Sequence, residues 1–286
     1  MKKRKIFPIL LITALLAAGA AAVVLKPSLR YMVKDTLAGL FHRNTLTEIA
    51  PEELTLKTYT LDELLESENV TFDQSMLLIN SEYPLTSDFA AETGEYNDSG
   101  VIMNTCVMEA YRSLSAEISE KFNEKLYIMS AYRTEAEQAS AMESEGEKAA
   151  RLGESEHQAG LGLDVYIKYY AGAGFLDSEA GQYVNENCQN HGFIIRYPYY
   201  GKNSTGIGFE PWHLRYVGEP HAKIITENRL TLEEYMDKLD GGGFWQYENT
   251  ILTIQNGEQF LLPAVYDTMT ISPDNRGNYI FTVKIR

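Results

Sequence analysis

The sequence predicts a folded body that mixes helices with strands, set behind an export-type amino terminus and followed by a β-rich tail. Three observations lead there. Apolar residues recur every four positions at Ala110, Leu114, Ile118 and Phe122, which makes one face of a packed helix. Leu161, Leu163 and Val165 alternate with Gly162, Asp164 and Tyr166, the period of a half-buried strand. After Asp240, the run Gly241-Gly242-Gly243 gives way to short β-rich stretches and a hairpin turning at Pro273 to Asn278.

The other elements follow from local signals. Residues 61–68 read as a helix, 75–80 as a short apolar run closed by turn residues, 92–100 as a polar loop and 126–129 as a strand. Thr134 with Glu137 forms a capping box for a helix running towards Leu152 and stopping at Gly153. Residues 178–190 read as a further helix, with Gly192 as its left-handed stop. Strands are expected at 193–197 and 212–217, and Thr231 with Glu234 caps a last helix that ends near Asp240.

At 286 residues, 44% apolar and 23% charged, the chain suits one full-sized domain with an accessory element, and wholesale disorder is excluded. The net charge of −15 is unevenly spread. The first 45 residues carry eight Lys/Arg against Asp35 alone, which leaves −22 on the remainder. So acidic a body, with no basic stripe interleaved with aromatics, excludes nucleic acid as a partner.

Lys2, Lys3, Arg4 and Lys5 precede an uncharged run from Ile6 to Leu25 that is closed by Lys26. About twenty residues suffice to cross a bilayer, and the basic cluster keeps the amino end in the cytoplasm. The expected order is a cytoplasmic tail (1–5), a transmembrane anchor in the cytoplasmic membrane (6–25), a stalk (26–50), a main domain (51–240) and a small β module (241–286). The domain would then face outward from a single-pass chain. Signal cleavage within Ala17 to Ala22, giving a secreted protein, is the alternative. Cys106 and Cys188 are the only cysteines, and one disulfide or two buried thiols would both fit.

Histidine and carboxylate recur at metal-ligand spacing. Within Ser155-Glu156-His157-Gln158-Ala159-Gly160-Leu161-Gly162-Leu163-Asp164, His157 precedes Asp164 by seven positions. In Glu210-Pro211-Trp212-His213-Leu214-Arg215 a carboxylate precedes a histidine by three. His157, Asp164 and His213 thus offer three ligands, the number a catalytic zinc takes while keeping an open position. Glu210 is then a spare carboxylate suited to moving protons. On a strand beginning at Trp212, His213 and Arg215 share one face, which can point at the metal. No HExxH helix is present. His42 falls in the stalk, His191 at a helix end and His221 at a helix start or behind the site. The tyrosines, Tyr166, Tyr169, Tyr170, Tyr197, Tyr199 and Tyr200 among them, could line a peptide groove, with core and surface packing as the default reading.

The pair SxHxxGxxxD and ExWHxR resembles the paired signature of the VanY-like zinc D-alanyl-D-alanine carboxypeptidases. Ser130-Ala131-Tyr132-Arg133-Thr134-Glu135-Ala136-Glu137-Gln138 is similar to that family's S-G-Y-R-S-x-x-x-Q block, with Ala131 for Gly and Thr134 for Ser. Leu77-Leu78-Ile79-Asn80 and Tyr83-Pro84-Leu85 look like the entry to the same domain, so the likeness spans about 75 to 240. It implies an α+β fold, the hedgehog/D,D-peptidase-like zinc peptidase domain, whose central antiparallel sheet carries the ligands. It also implies Zn2+ on His157, Asp164 and His213, Glu210 as general base and Arg133 steadying the oxyanion. Arg133, Ser155 and Gln138 would bind the substrate's polar groups. The implied reaction removes the terminal D-Ala from peptidoglycan stem peptides ending in D-Ala-D-Ala, with a contribution to glycopeptide resistance. A D,D-dipeptidase or L,D-carboxypeptidase of the same fold would differ only in its pocket. A non-catalytic wall-binding zinc module is the remaining alternative, and it has no need of Glu210 or Arg133.

Overall fold

The computed structural model describes residues 26–41, 44–146 and 149–286. Its central feature is a four-stranded antiparallel sheet in the order Leu126–Ser130, Gly162–Ile167, His213–Tyr216, Phe193–Ile195. Leu163, Val165 and Ile167 alternate onto one face and are fully buried there. They pack against Leu114 and Ile118 of the helix Met108–Phe122 and Val184 of the helix Glu179–Asn187. Because side chains alternate along a strand, Gly162 and Asp164 point to the other face. The mixed helix-and-strand architecture and the antiparallel central sheet agree with expectation.

A second sheet has six strands, ordered Thr47–Ile49, Phe244–Tyr247, Thr250–Gln255, Tyr279–Lys284, Thr268–Pro273, Val70–Phe72. All its pairs are antiparallel except the last. The expected hairpin joins Thr268–Pro273 to Tyr279–Lys284, and Asp274 accepts the Arg276 and Asn278 amides across the turn. One face of this sheet, with Leu252, Ile254 and Ile280, shares a core with Met76, Leu78, Ile194 and Val217 and with the helices His221–Glu227 and Leu232–Leu239. Phe281, Val283 and Ile251 point the opposite way, under the two-stranded ribbon formed by Leu56–Tyr59 and Phe260–Pro263.

Several sequence expectations are corrected here. The β-rich tail is not a module of 241–286 alone, because strands from 47–72 complete its sheet and one of its faces is shared with the body. Residues 27–38, expected within a stalk, form a helix held to the body by Asp35–Arg229 (2.8 Å) and Lys34–Glu186 (2.6 Å). The helix begun at Thr134 covers only Glu135–Glu145, since the chain turns to positive φ at Gly146. The loop 92–100 includes a strand, Thr93–Glu95, paired with Ile102–Asn104. Of the two alternatives open for the cysteines, free thiols are the one found, Cys188 buried and Cys106 partly so. The anchor expected over 6–25 and His42 lie outside the described residues. Among the described residues, no helix is long and apolar enough to cross a membrane.

Candidate active site

Strand register assembles the site. Asp164 stands opposite His213 on one side and Ser130 on the other, where a bulge between Ile128 and Ser130 breaks the ladder. Arg133 follows three residues beyond that bulge. His157 enters from a 3-10 turn, Glu156–Ala159, closed by Gly160 at φ +67. A Cβ on Gly160 would lie 2.6 Å from the Asn104 nitrogen, so only glycine lets the turn approach so closely.

His157, Asp164 and His213 are all buried, and one potential ligand atom from each lies within 4.8 Å of the others. His157 Nε2 is 3.3 Å from Asp164 Oδ2, and His213 Nδ1 is 3.0 Å from Asp164 Oδ1. The remaining His157 nitrogen, Nδ1, is 2.7 Å from the Ala131 carbonyl, which can only accept, so Nδ1 carries the proton and Nε2 keeps its lone pair. This donor set fits a dication such as zinc, with two imidazoles and one carboxylate converging from three segments.

The electrostatics agree with that fit. Burial pushes the Asp164 carboxyl up, but its hydrogen bonds with His157 and His213 outweigh this and hold it well below the usual carboxylate range. Burial lowers His157. Burial also opposes the charge on His213, yet Asp164 and Glu156 lift it to about 9. Two carboxylates therefore draw positive charge to His213, a demand that a bound cation can meet.

Glu210 and Arg133 form the rim. Glu210 Oε2 is 4.0 Å from His213 Nδ1, and its side chain is 31% exposed, open to water as a proton carrier must be. Arg133 Nη2 is 3.4 Å from Asp164 Oδ2, while its Nε donates to Ser130 Oγ at 2.9 Å. A cavity of about 260 Å³ opens beside Arg133, lined also by Tyr132, Ser87, Phe89 and Gln158. A larger one, about 390 Å³, lies under the helix Pro27–Ala38 and includes none of the five site residues.

One of the substrate-binding expectations changes. Gln138 has no exposed surface; its Nε2 donates to the Ala150 carbonyl at 2.7 Å and its Oε1 accepts from Arg133 at 3.4 Å, so it orients Arg133 instead of meeting a ligand. Ser155 is buried at the start of the turn, where its carbonyl accepts the Gln158 amide. Arg215, read from strand alternation as facing the metal, instead donates to Glu156 at 2.7 Å and to the Ser75 and Leu77 carbonyls. Sequence reasoning also passed over Glu156, and packing was its default for Tyr197, whose ring lies 5.1 Å from that of His213. The position of Glu156 next to His157 was the available signal. His191 contacts Glu117 and Ser113, and His221 contacts Tyr235 and Thr282, and neither bonds to His157, Asp164 or His213.

Comparison with known proteins bears on this geometry. The family model described as VanY, D-alanyl-D-alanine carboxypeptidase, matches residues 101–219, which include every one of these site residues. A D-alanyl-D-alanine carboxypeptidase of Enterococcus faecium is 34% identical over 231 residues, covering 73% of this chain and 72% of the relative. This chain belongs to the VanY family. The bifunctional D-Ala-D-Ala dipeptidase and carboxypeptidase VanXYC of Enterococcus gallinarum is 33% identical over 58% of this chain and 95% of its own. Among solved structures, a VanY D,D-pentapeptidase variant from a VanB-type resistance cassette, in complex with Zn(II), aligns with TM-score 0.50 at 28% identity, over 57% of this chain and 98% of that one. The dipeptidase VanXYg aligns at TM-score 0.62 over 80% of this chain and 99% of its own, and at 23% identity it supports the fold alone.

Proposed function

We propose that this VanY-family chain is a zinc-dependent D,D-carboxypeptidase that releases the terminal D-alanine from stem peptides ending in D-Ala-D-Ala. The convergence of His157 Nε2, Asp164 and His213 Nδ1, flanked by Glu210 and Arg133, carries the reading. Zinc bound there supplies a Lewis acid for the scissile carbonyl and lowers the pKa of water. Glu210, on the exposed rim, accepts a proton from the attacking water and delivers it to the departing amine of D-alanine. Arg133, held by Ser130 and Gln138, presents a fixed positive charge to the oxygen on which negative charge develops. The cavity beside Arg133 offers room for the peptide end.

The basic cluster and uncharged run before Lys26 support retention at the outer face of the cytoplasmic membrane, where D-Ala-D-Ala precursors are displayed. Trimming those ends would lower the number of sites available to glycopeptide antibiotics. The test is D-alanine release by residues 26–286 from a stem pentapeptide, from free D-Ala-D-Ala and from a tetrapeptide with an L,D bond. Release from the pentapeptide that a chelator abolishes and zinc restores is the expected result. Release from only the dipeptide or only the tetrapeptide would move the assignment to a dipeptidase or an L,D-carboxypeptidase.

A further inference from the structure

Glu156 is a carboxylate with almost no exposed surface. Its Oε1 accepts from Arg196 Nε at 2.6 Å and from Arg215 Nη1 at 2.7 Å. Its Oε2 is buried without a hydrogen-bond partner, and so is His213 Nε2; these two atoms face each other at 3.5 Å. A carboxylate oxygen can only accept, so the contact is favourable only when His213 carries a proton on Nε2. On the other side of the ring Nδ1 lies 3.0 Å from Asp164 Oδ1, so without metal both nitrogens hold protons; a cation on Nδ1 would displace that proton, while Glu156 keeps the one on Nε2. We infer that Glu156 is the positioning residue for His213: locked by two buried arginines, it selects the tautomer that turns Nδ1 towards the metal. The cluster reaches further, since Arg196 also pairs with Glu233, whose Oε1 accepts from Asn80. The final arginine of ExWHxR thus acts on the metal through Glu156 and not directly.

This inference rests on the zinc reading above, and its consequence is specific. In Glu156→Gln the two guanidinium groups, which only donate, hold the amide oxygen at the Oε1 position. The NH2 then sits where Oε2 was and donates to His213 Nε2. That favours a proton on Nδ1, the nitrogen the metal needs. Zinc affinity, measured on the full chain in detergent by competition with a chelator, should fall by about 10- to 100-fold, the range seen when such outer partners of metal ligands are lost. Glu117→Gln alters a carboxylate that pairs with Tyr183 and His191 and not with this cluster, and should leave zinc affinity unchanged. Should Glu156→Gln fail to fold, the wild-type chain decides the matter by 15N NMR of labelled histidines with zinc bound. The expected His213 ring has metal on Nδ1 and a proton on Nε2. Metal on Nε2, or a folded Glu156→Gln chain with wild-type affinity, would overturn the inference and leave the zinc reading standing. A wild-type chain that takes up no zinc would remove both.

Discussion

Both sheets bury an apolar face, but the four-stranded sheet carries a buried charged cluster on its other one. Beside the four-stranded sheet, Asp164, His213, Glu156, Arg215 and Arg196 are all removed from solvent. Under the six-stranded sheet the buried residues are chiefly apolar, as with Phe260, Met269, Ile271 and Phe281. Burying charge is costly even when it is paired, and apolar groups of similar volume would often stabilise the fold as well or better. A charged cluster in the first sheet therefore points to a task beyond stability, while the second sheet supplies packing. Substitutions in the first should change chemistry, and those in the second should change folding.

Removing one of the three proposed zinc ligands gives the sharpest break. Asp164→Ala is expected to abolish both zinc binding, measured by metal content after dialysis, and D-alanine release. Glu210→Gln should instead retain zinc and lower kcat by about 10²–10⁴-fold, the usual contribution of a positioned acid–base group. Loss of zinc from Glu210→Gln would make Glu210 a ligand and contradict its place on the rim.

In the second sheet the effect should reverse. Phe281 is fully buried among Phe260, Ile271 and Val283, so Phe281→Ala is expected to cost about 3–5 kcal/mol in chemical denaturation through lost burial and a residual cavity. The folded fraction should keep its kcat. A matching fall in kcat at temperatures where the variant remains folded would show that the two sheets are coupled through the core they share around Ile194, Val217, Leu252 and Ile280.

The same contrast explains how much could be read from the sequence. His157, Asp164, Arg133 and His213 were legible because each sits in a local motif whose spacing is fixed by a single strand or turn. The helix Met108–Phe122 and the hairpin around Pro273 to Asn278 were legible from period and turn chemistry. The strands Thr47–Ile49 and Val70–Phe72 were not. Three residues are too few to show a period, and their partners lie almost two hundred positions away, at Phe244–Tyr247 and Thr268–Pro273. Glu156 was obscured for a related reason: a lone glutamate reads as surface until Arg215, from the strand His213–Tyr216, and Arg196, just past the strand Phe193–Ile195, arrive beside it. Gln138 was placed with the substrate because its motif carries it, and only packing shows that it stands behind Arg133.

Two buried histidines refine the comparison at its smallest scale. His213, among carboxylates, is raised to about 9, whereas burial alone pushes His221, in the core between the sheets, down to about 3. His221 Nδ1 lies 2.7 Å from the Tyr235 hydroxyl and Nε2 2.7 Å from Thr282 Oγ1. Both hydroxyls can rotate to serve a neutral ring. In the unfolded chain this histidine titrates near 6.5, so between about 6.5 and 3 the unfolded state binds a proton that the folded state refuses. Its contribution to stability is therefore complete above pH 6.5 and is lost as the pH falls, by about 1.4 kcal/mol per unit through that window. Denaturation of zinc-loaded wild type and His221→Gln at pH 7, 6 and 5 should show the steeper acid loss in wild type, with contributions from the metal ligands cancelling between the two. Parallel pH profiles would mean that His221 accepts its proton in the folded state, and that the core between the sheets is wetter than its packing indicates.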